Sequence, residues 1–271
     1  MNLAHKRTGS GPLLICHSGG PGFPAGSLGD LGGLAADFEL LVPDPRGTGE
    51  SARPADGSYR LADNVADLEE LREQLDLEQI DLLGHSHGGF VAMSYAAAYP
   101  DRVRNLVLVA TAPRFSSEYD DRILAIWKAS DDPTIATALD ARQQRFAKGD
   151  DAEDEERMRL RLLELRLYFE GADRVEWLIS LLRQEPPNTD AVRYFNTEIA
   201  PTYDLRDDLA LVKARTLAIT GELDFFGPPA NDDIVAGIPD ARSVVIADAG
   251  HFVWVDEPDA FRNEVCQFLT Q

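Results

Sequence analysis

Short apolar runs recur along the chain, and each ends in a turn. Leu13–Cys16 leads into Ser18-Gly19-Gly20-Pro21-Gly22, Leu40–Val42 into Pro43-Asp44-Pro45-Arg46-Gly47, and Ile80–Leu83 into Gly84. Leu106–Val109 leads into Ala110-Thr111, Leu217–Ile219 into Thr220-Gly221, and Val244–Ile246 into Ala247-Asp248. The runs are brief and rich in Val, Ile and Leu, as strands buried on both faces should be. Helical patterns separate them. Between Ala62 and Leu75 the residues Val65, Leu68, Leu71 and Leu75 form one stripe, and Asp63 is placed to cap its first turn. Gly88 to Tyr99 is small and apolar throughout, which suits a helix buried beneath a sheet. Glu257 to Leu269 puts Phe261, Val265, Phe268 and Leu269 on one face. Strand alternating with helix predicts a parallel, doubly wound α/β sheet.

The rhythm breaks between Pro113 and about Asp204. That stretch is charged and helical in pattern, with many Leu at helical spacing from Arg159 to Leu182 and no convincing buried strand. It reads as a helical cap inserted after the strand ending at Ala110. The expected organisation is a core of residues 1–112 and 206–271 with a cap of 113–205. A length of 271 residues accommodates one large domain with such an insertion.

Charge and cysteine content narrow the partners. The formal net charge of −21 repels nucleic acid and anionic membranes. Part of it is local: Asp150, Asp151, Glu153, Asp154, Glu155 and Glu156 form a run that reads as a solvated loop and helix start. Cys16 and Cys266 read as buried, reduced thiols. The N-terminal residues hold no apolar stretch of signal-peptide length, and no segment reaches transmembrane length. A cytoplasmic protein acting on a small molecule or short peptide is expected, with no metal or cofactor, since no histidines stand at convincing metal-ligand spacing.

The chemistry centres on Gly84-His85-Ser86-His87-Gly88-Gly89, which follows a predicted strand and opens a predicted helix. In that context a G-x-S-x-G pattern is a tight turn that lifts the serine above the sheet edge, with a helix N-terminus aimed at developing negative charge. Ser86 is the candidate nucleophile. A serine needs a base, and the base an orienting acid. Apart from the adjacent His87, which the turn directs away, His251 is the only histidine after Ser86, in Asp248-Ala249-Gly250-His251-Phe252. Asp224, at the end of the preceding predicted strand, is the favoured acid; Glu222 is its nearest rival, with Asp232 and Asp233 deeper in the next helix. Asp248 is expected to brace the turn before His251. An oxyanion needs two converging backbone N–H donors. His87, the residue after the nucleophile, supplies one, and Gly19 is chosen for the other, with Gly20 beside it close to substrate.

Ser18-Gly19-Gly20-Pro21-Gly22, Asp44-Pro45-Arg46-Gly47-Thr48-Gly49-Glu50-Ser51 and the serine turn together resemble the proline iminopeptidase branch of the α/β-hydrolases, as do Tyr203-Asp204-Leu205-Arg206 and Gly250-His251-Phe252. The resemblance covers the predicted core, while the cap matches in general character. It implies the α/β-hydrolase fold, a mostly parallel central sheet flanked by helices with an inserted cap. It also implies a Ser86–Asp224–His251 triad, and an Asp44–Arg46 ion pair stiffening the loop beside the site.

Ser18 stands where that branch carries histidine, and Pro45 where it carries glutamine. Its aminopeptidases bind the substrate amine through cap glutamates, one just before a His-Tyr-Phe run. The matching stretch here is Glu164-Leu165-Arg166-Leu167-Tyr168-Phe169, with Leu165 at the glutamate position. Glu164 lies one helical step away, about 100° round; Glu198 and Glu170 are the other candidates for the amine. Phe225 and Phe226, just beyond the acid, are placed to line an apolar pocket. Phe115, Tyr119, Trp127, Tyr168, Phe169 and Trp177 divide between that pocket and the cap's own core. A serine hydrolase of an aminoacyl amide or a carboxylic ester is the expectation. Carbon–carbon bond hydrolysis and a non-catalytic ligand receptor remain as alternatives on the same fold.

Overall fold

The structure, a computed structural model, describes residues 2–148, 154–169 and 174–271. In chain order the main elements are β1 (His5–Thr8), β2 (Leu13–His17), β3 (Glu39–Pro43), α1 (Leu61–Gln74), β4 (Ile80–His85), α2 (His87–Ala98) and β5 (Val103–Val109). Among the described residues the α-helices α3 (Ser117–Ala129), α4 (Pro133–Lys148), α5 (Asp154–Glu164), α6 (Val175–Gln184) and α7 (Thr189–Tyr194) follow before the next strand. Then come β6 (Arg215–Gly221), α8 (Gly227–Gly237), β7 (Ala241–Ile246), α9 (Val253–Asp256) and α10 (Pro258–Leu269). The strands form one sheet in the order β1-β3-β2-β4-β5-β6-β7, parallel except for β1 against β3.

Strand residues alternate between two cores, as a period of two requires. Leu14, Cys16, Leu83, Val107, Leu217 and Ile219 face a layer with Phe261, Val265 and Phe268 of α10. Ile15, Leu82, Leu106, Leu108 and Ala218 face the other layer, with Val65, Leu68 and Leu71 of α1, most of α2, and Ala230 and Ile234 of α8. Each fully buried Leu or Ile contributes about 1.5–3 kcal/mol relative to exposure. The central strands are therefore held rigidly, and so are the loops at their C-terminal ends.

Several expectations change. β1 was not foreseen: its residues are all exposed, so it carries no apolar signal, and antiparallel pairing with β3 alone makes it a strand. β7 is an edge strand with mostly exposed or half-buried residues, not a strand buried on both faces. Asp63 does not cap α1; its carboxylate is held by Arg60 and Ser58. The leucine-rich stretch from Arg159 to Leu182 is helical in pieces: α5 stops at Glu164, a 3-10 turn runs over Leu165–Tyr168, Phe169 is extended, and α6 begins at Val175. Cys16 is buried as expected, but Cys266 is half-buried. Asp150, Asp151 and Glu153 of the acidic run, and Glu170, lie outside the described residues.

Candidate active site

The sharp turn between β4 and α2 is built by what its glycines leave empty. A Cβ on Gly88 would lie 2.2 Å from the His17 carbonyl oxygen and 2.6 Å from that of Ser18, backbone atoms at the end of β2 and just beyond it. A Cβ on Gly84 would meet the Gly88 carbonyl oxygen at 2.5 Å. Ser86 between them is forced to φ 53° and ψ −120°, a conformation costly for any residue with a side chain. Its backbone is pinned: the Ser86 N–H donates to the Val109 carbonyl (2.9 Å), and its own carbonyl accepts from the Thr111 hydroxyl (2.8 Å).

His251 follows β7, and Asp224 follows β6. The His251 Nδ1–H donates to Asp224 Oδ1 at 2.8 Å, with Asp224 fully buried. The second oxygen of Asp224 accepts from the Thr220 hydroxyl at 2.9 Å and, at 3.5 Å, from the Gly227 N–H. Phe225 stacks on the His251 ring with centroids 4.2 Å apart, and Tyr168 meets that ring edge-on at 5.3 Å. His85, the residue before Ser86, brings its ring within 4.7 Å of His251. Three strand ends thus deliver Ser86, Asp224 and His251 to one edge of the sheet. Among the described residues no hydrogen bond joins the Ser86 hydroxyl to His251.

Gly19 lies against the same turn: a Cβ there would stand 3.0 Å from Ser86 Cβ and 2.9 Å from His85 Nδ1. His87 is the first residue of α2, so its N–H has no acceptor within the helix. Gly20 has φ 124°, and a Cβ on it would press on the Gly22 and Phe23 nitrogens at 2.7 Å. The His87 ring lines a narrow cavity with Gly22, Arg46, Tyr59 and Phe195. Tyr59 also borders a wider groove with Arg53, Asp190, Arg193, Tyr194 and Glu198. Phe115, Phe195, Tyr203 and Phe226 gather round Phe90, next to His87.

Burial dominates the electrostatics. It pushes His87 down to about 3, with the neighbouring His17 as a lesser cause. His17 is lowered by burial, partly offset by the bond to the Ser18 carbonyl. His85 is held well below the ordinary range, first by burial and then by the facing His251. These rings are therefore neutral packing and hydrogen-bonding groups at neutral pH.

Several sequence assignments move. Asp44 and Arg46 do not pair with each other. Asp44 accepts the Ala25 and Glu50 N–H groups at 2.7 and 3.1 Å, whereas Arg46 bonds Asp67 at 2.7 Å and the Ser58 and Asp63 carbonyls. Each still stiffens a loop, through different partners. Glu164 does not reach the site: it is buried and held by Arg142 and Arg145 at 3.3 and 2.6 Å. Glu198 is exposed in the wider groove, whose lining does not include Ser86. Glu222 is exposed, and Asp233 is tied to Arg114 and Tyr119. Trp127 belongs to a separate core with Ile123 and Ile135.

Asp248 is exposed in a left-handed conformation (φ 54°). Asp256 braces the base loop instead, accepting the Gly250 N–H at 2.8 Å and pairing with Arg174 at 3.0 Å. Sequence reasoning also missed Asn188 and Arg122. Asn188 donates to the Gly47 carbonyl and, through its backbone N–H, to the Gly22 carbonyl, both at 2.9 Å. Arg122 of α3 donates to the carbonyls of Glu222 and Asp224. Asn188 also caps α7, its side-chain oxygen accepting the Asp190 and Ala191 N–H groups at 3.0 and 3.3 Å, a role its place before Thr189-Asp190 could have signalled; the partners that tie Asn188 and Arg122 to the site loops lie far away in sequence.

A seven-stranded, mostly parallel sheet with flanking helices and a serine turn after β4 defines the α/β-hydrolase fold. Residues 12–258 match the alpha/beta hydrolase fold family, and the chain belongs to it. The proline iminopeptidase PfmaB of Pestalotiopsis fici is 28% identical over 98% of this chain and 95% of its own length. The pimeloyl-[acyl-carrier protein] methyl ester esterase of Aeromonas hydrophila is 27% identical over 99% of this chain and 100% of its own. Among solved structures, a proline iminopeptidase from Mycobacterium smegmatis superposes with a TM-score of 0.76 at 22% identity, covering 98% of this chain and 94% of that one. The likeness to the proline iminopeptidase branch read from the motifs is thus shared by whole-chain relatives.

Proposed function

We propose that the protein is a serine hydrolase of uncharged carboxylic esters, with Ser86 as nucleophile, His251 as base and Asp224 as orienting acid. The observation that carries the mechanism is the 2.8 Å bond from His251 Nδ1–H to the fully buried Asp224, set beside the strained Ser86 turn. With Nδ1 protonated, Nε2 of a neutral His251 is the free base. It takes the Ser86 proton as the oxygen attacks the ester carbonyl, and Asp224 stabilises the imidazolium that forms. The backbone N–H groups of Gly19 and His87 receive the oxyanion, aided by the N-terminus of α2. His251 returns the proton to the leaving alcohol, and water releases the acyl group from Ser86. Catalytic hydrogen bonds commonly tighten only when substrate binds, which fits the open Ser86–His251 pair.

The substrate class follows from the carboxylates. Recognition of an N-terminal amine calls for a free acid beside the acyl site. Glu164 is already committed to two arginines, while the rings packed round His251 and onto one another there, Phe225, Phe226 and Phe115, are apolar. An aminopeptidase is the second reading. It is favoured by the iminopeptidase relatives and by Glu198 in the groove that Tyr59 shares with the His87 cavity. In both readings residues 113–205 act as a cap that selects substrate over a core of 1–112 and 206–271. Among the described residues no helix is long and apolar enough to cross a membrane, and we place the reaction on small molecules in the cytoplasm.

Turnover of p-nitrophenyl butyrate against proline and alanine p-nitroanilides separates the readings. Ester turnover without anilide turnover is expected. A strong anilide rate that vanishes when the amine is acetylated establishes the aminopeptidase instead.

A further inference from the structure

His85 stands immediately before Ser86, is buried, and takes no part in the chemistry above. Its Nε2 lies 3.0 Å from the backbone carbonyl of His251, 166 positions further along the chain. A carbonyl oxygen only accepts, so Nε2 carries the proton. Burial keeps the ring neutral, so Nδ1 is unprotonated. That nitrogen faces Gly19, whose absent Cβ would lie 2.9 Å from it. Phe252 at 5.0 Å and Trp254 at 4.7 Å, the latter perpendicular, wall the ring in place.

One imidazole therefore touches the nucleophile turn, the loop after β7 and the loop after β2. The geometry points to His85 as a positioning residue that sets the spacing between Ser86 and His251 through its Nε2–H bond to the His251 carbonyl, and gives the Gly19 loop its seat. The sheet alone does this poorly. β4 and β7 are separated by β5 and β6, so the Ser86–His251 spacing accumulates the small displacements of every intervening strand pair. The His85 bond closes that path directly. It acts on the backbone of the base itself, where a small rotation swings the imaginary line from Nε2 to the serine. The inference rests on the reading of Ser86 as nucleophile and His251 as base.

The test compares wild type, S86A, H85F and H85Q on p-nitrophenyl butyrate, with the melting temperature of each. Phenylalanine keeps a ring in the space but cannot donate; glutamine places an amide N–H near the original Nε2. The expected result is a kcat for H85F lower by about 10- to 100-fold, with KM changed by less than about threefold, and H85Q recovering most of the loss. A wild-type kcat in H85F overturns the proposal, and so do equal losses in H85F and H85Q, which mark a packing role alone. S86A separates the underlying reading: an active S86A refutes the nucleophile, and with it the inference, whatever His85 does. Should H85F fail to fold, imidazole ¹⁵N NMR of the wild type, with His85 assigned by its loss in H85Q, still decides. A neutral Nε2–H ring from pH 6 to 8 is expected; an Nδ1–H tautomer or a titrating ring overturns it.

Discussion

At the scale of single residues, the Asp224 carboxylate has its two oxygens assigned by their surroundings. Oδ1 takes the His251 Nδ1–H, and Oδ2 faces the Thr220 hydroxyl and the Gly227 N–H. The Gly227 N–H can only donate. In D224N the amide oxygen is therefore held on that side, and the NH₂ group is turned toward His251. An NH₂ there donates to Nδ1, which moves the imidazole proton to Nε2 and leaves no free base for Ser86. D224N is expected to fold with a melting temperature near wild type while kcat falls by about 1,000- to 10,000-fold. A kcat within about tenfold of wild type removes Asp224 from the mechanism and returns Glu222 to consideration. The residue scale is also where sequence was most informative. The meeting of Ser86 and His251 at one sheet edge was legible because a glycine-bounded turn and a single downstream histidine leave few choices. The links from Arg122 to the Asp224 carbonyl and from Asn188 to the Gly47 carbonyl were illegible because only the fold brings those groups near.

At the scale of elements, the junction of β2, β4 and α2 decides whether the turn can form. Gly88 sits where α2 crosses the end of β2, with two backbone carbonyl oxygens inside 3 Å of any added Cβ. Neither is a flexible side-chain end, so G88A must push the start of α2 away from His17 and Ser18. The mutation is expected to destabilise the protein by about 1–3 kcal/mol, as overpacking does, and to lower kcat beyond what the folded fraction explains. Both follow because the His87 N–H and the loop carrying Gly19 move apart. Urea melts with active-site titration of the folded protein test this; unchanged stability shows that the contact relaxes without cost. The buried strands were readable at this scale because the apolar side chains of β2, β4 and β5 all enter one core or the other. The helices of 113–205 were readable only as helical. Local proline marks two of their breaks, Pro133 where α4 starts and Pro186-Pro187 between α6 and α7, while others meet the loops of the core, as where the Tyr168 carbonyl accepts the His251 N–H at 2.8 Å.

At the scale of the whole molecule, three buried neutral histidines and a large negative charge pull stability in opposite directions as pH falls. His17, His85 and His87 all have folded values below the 6.5 of an unperturbed imidazole. Between the folded and unfolded values the unfolded chain binds more protons, so stability rises with pH there. The contribution of these rings is fully present above about pH 6.5 and is lost as pH falls. For His87 the loss continues to about pH 3. At about 1.4 kcal/mol per pH unit, the loss from the His87 ring alone amounts to on the order of 5 kcal/mol by the foot of that window. That is a large share of the roughly 5–15 kcal/mol that holds a domain together. The net charge of −21 works the other way, because protonation relieves self-repulsion. The paired carboxylates enter late: Asp63 and Asp204 are held down to about 2, chiefly by Arg60 and Arg206, and lose their contribution only below the ordinary carboxylate range. The interval from pH 6.5 to 5 therefore isolates the histidines. Urea unfolding at pH 7.5, 6.5, 5.5 and 5 is expected to show stability falling with pH, and H87Q to fall less steeply than wild type whatever its absolute stability. Parallel slopes for the two proteins would mean that the His87 ring is protonated in place without cost, and that the cavity it shares with Tyr59 and Phe195 admits water.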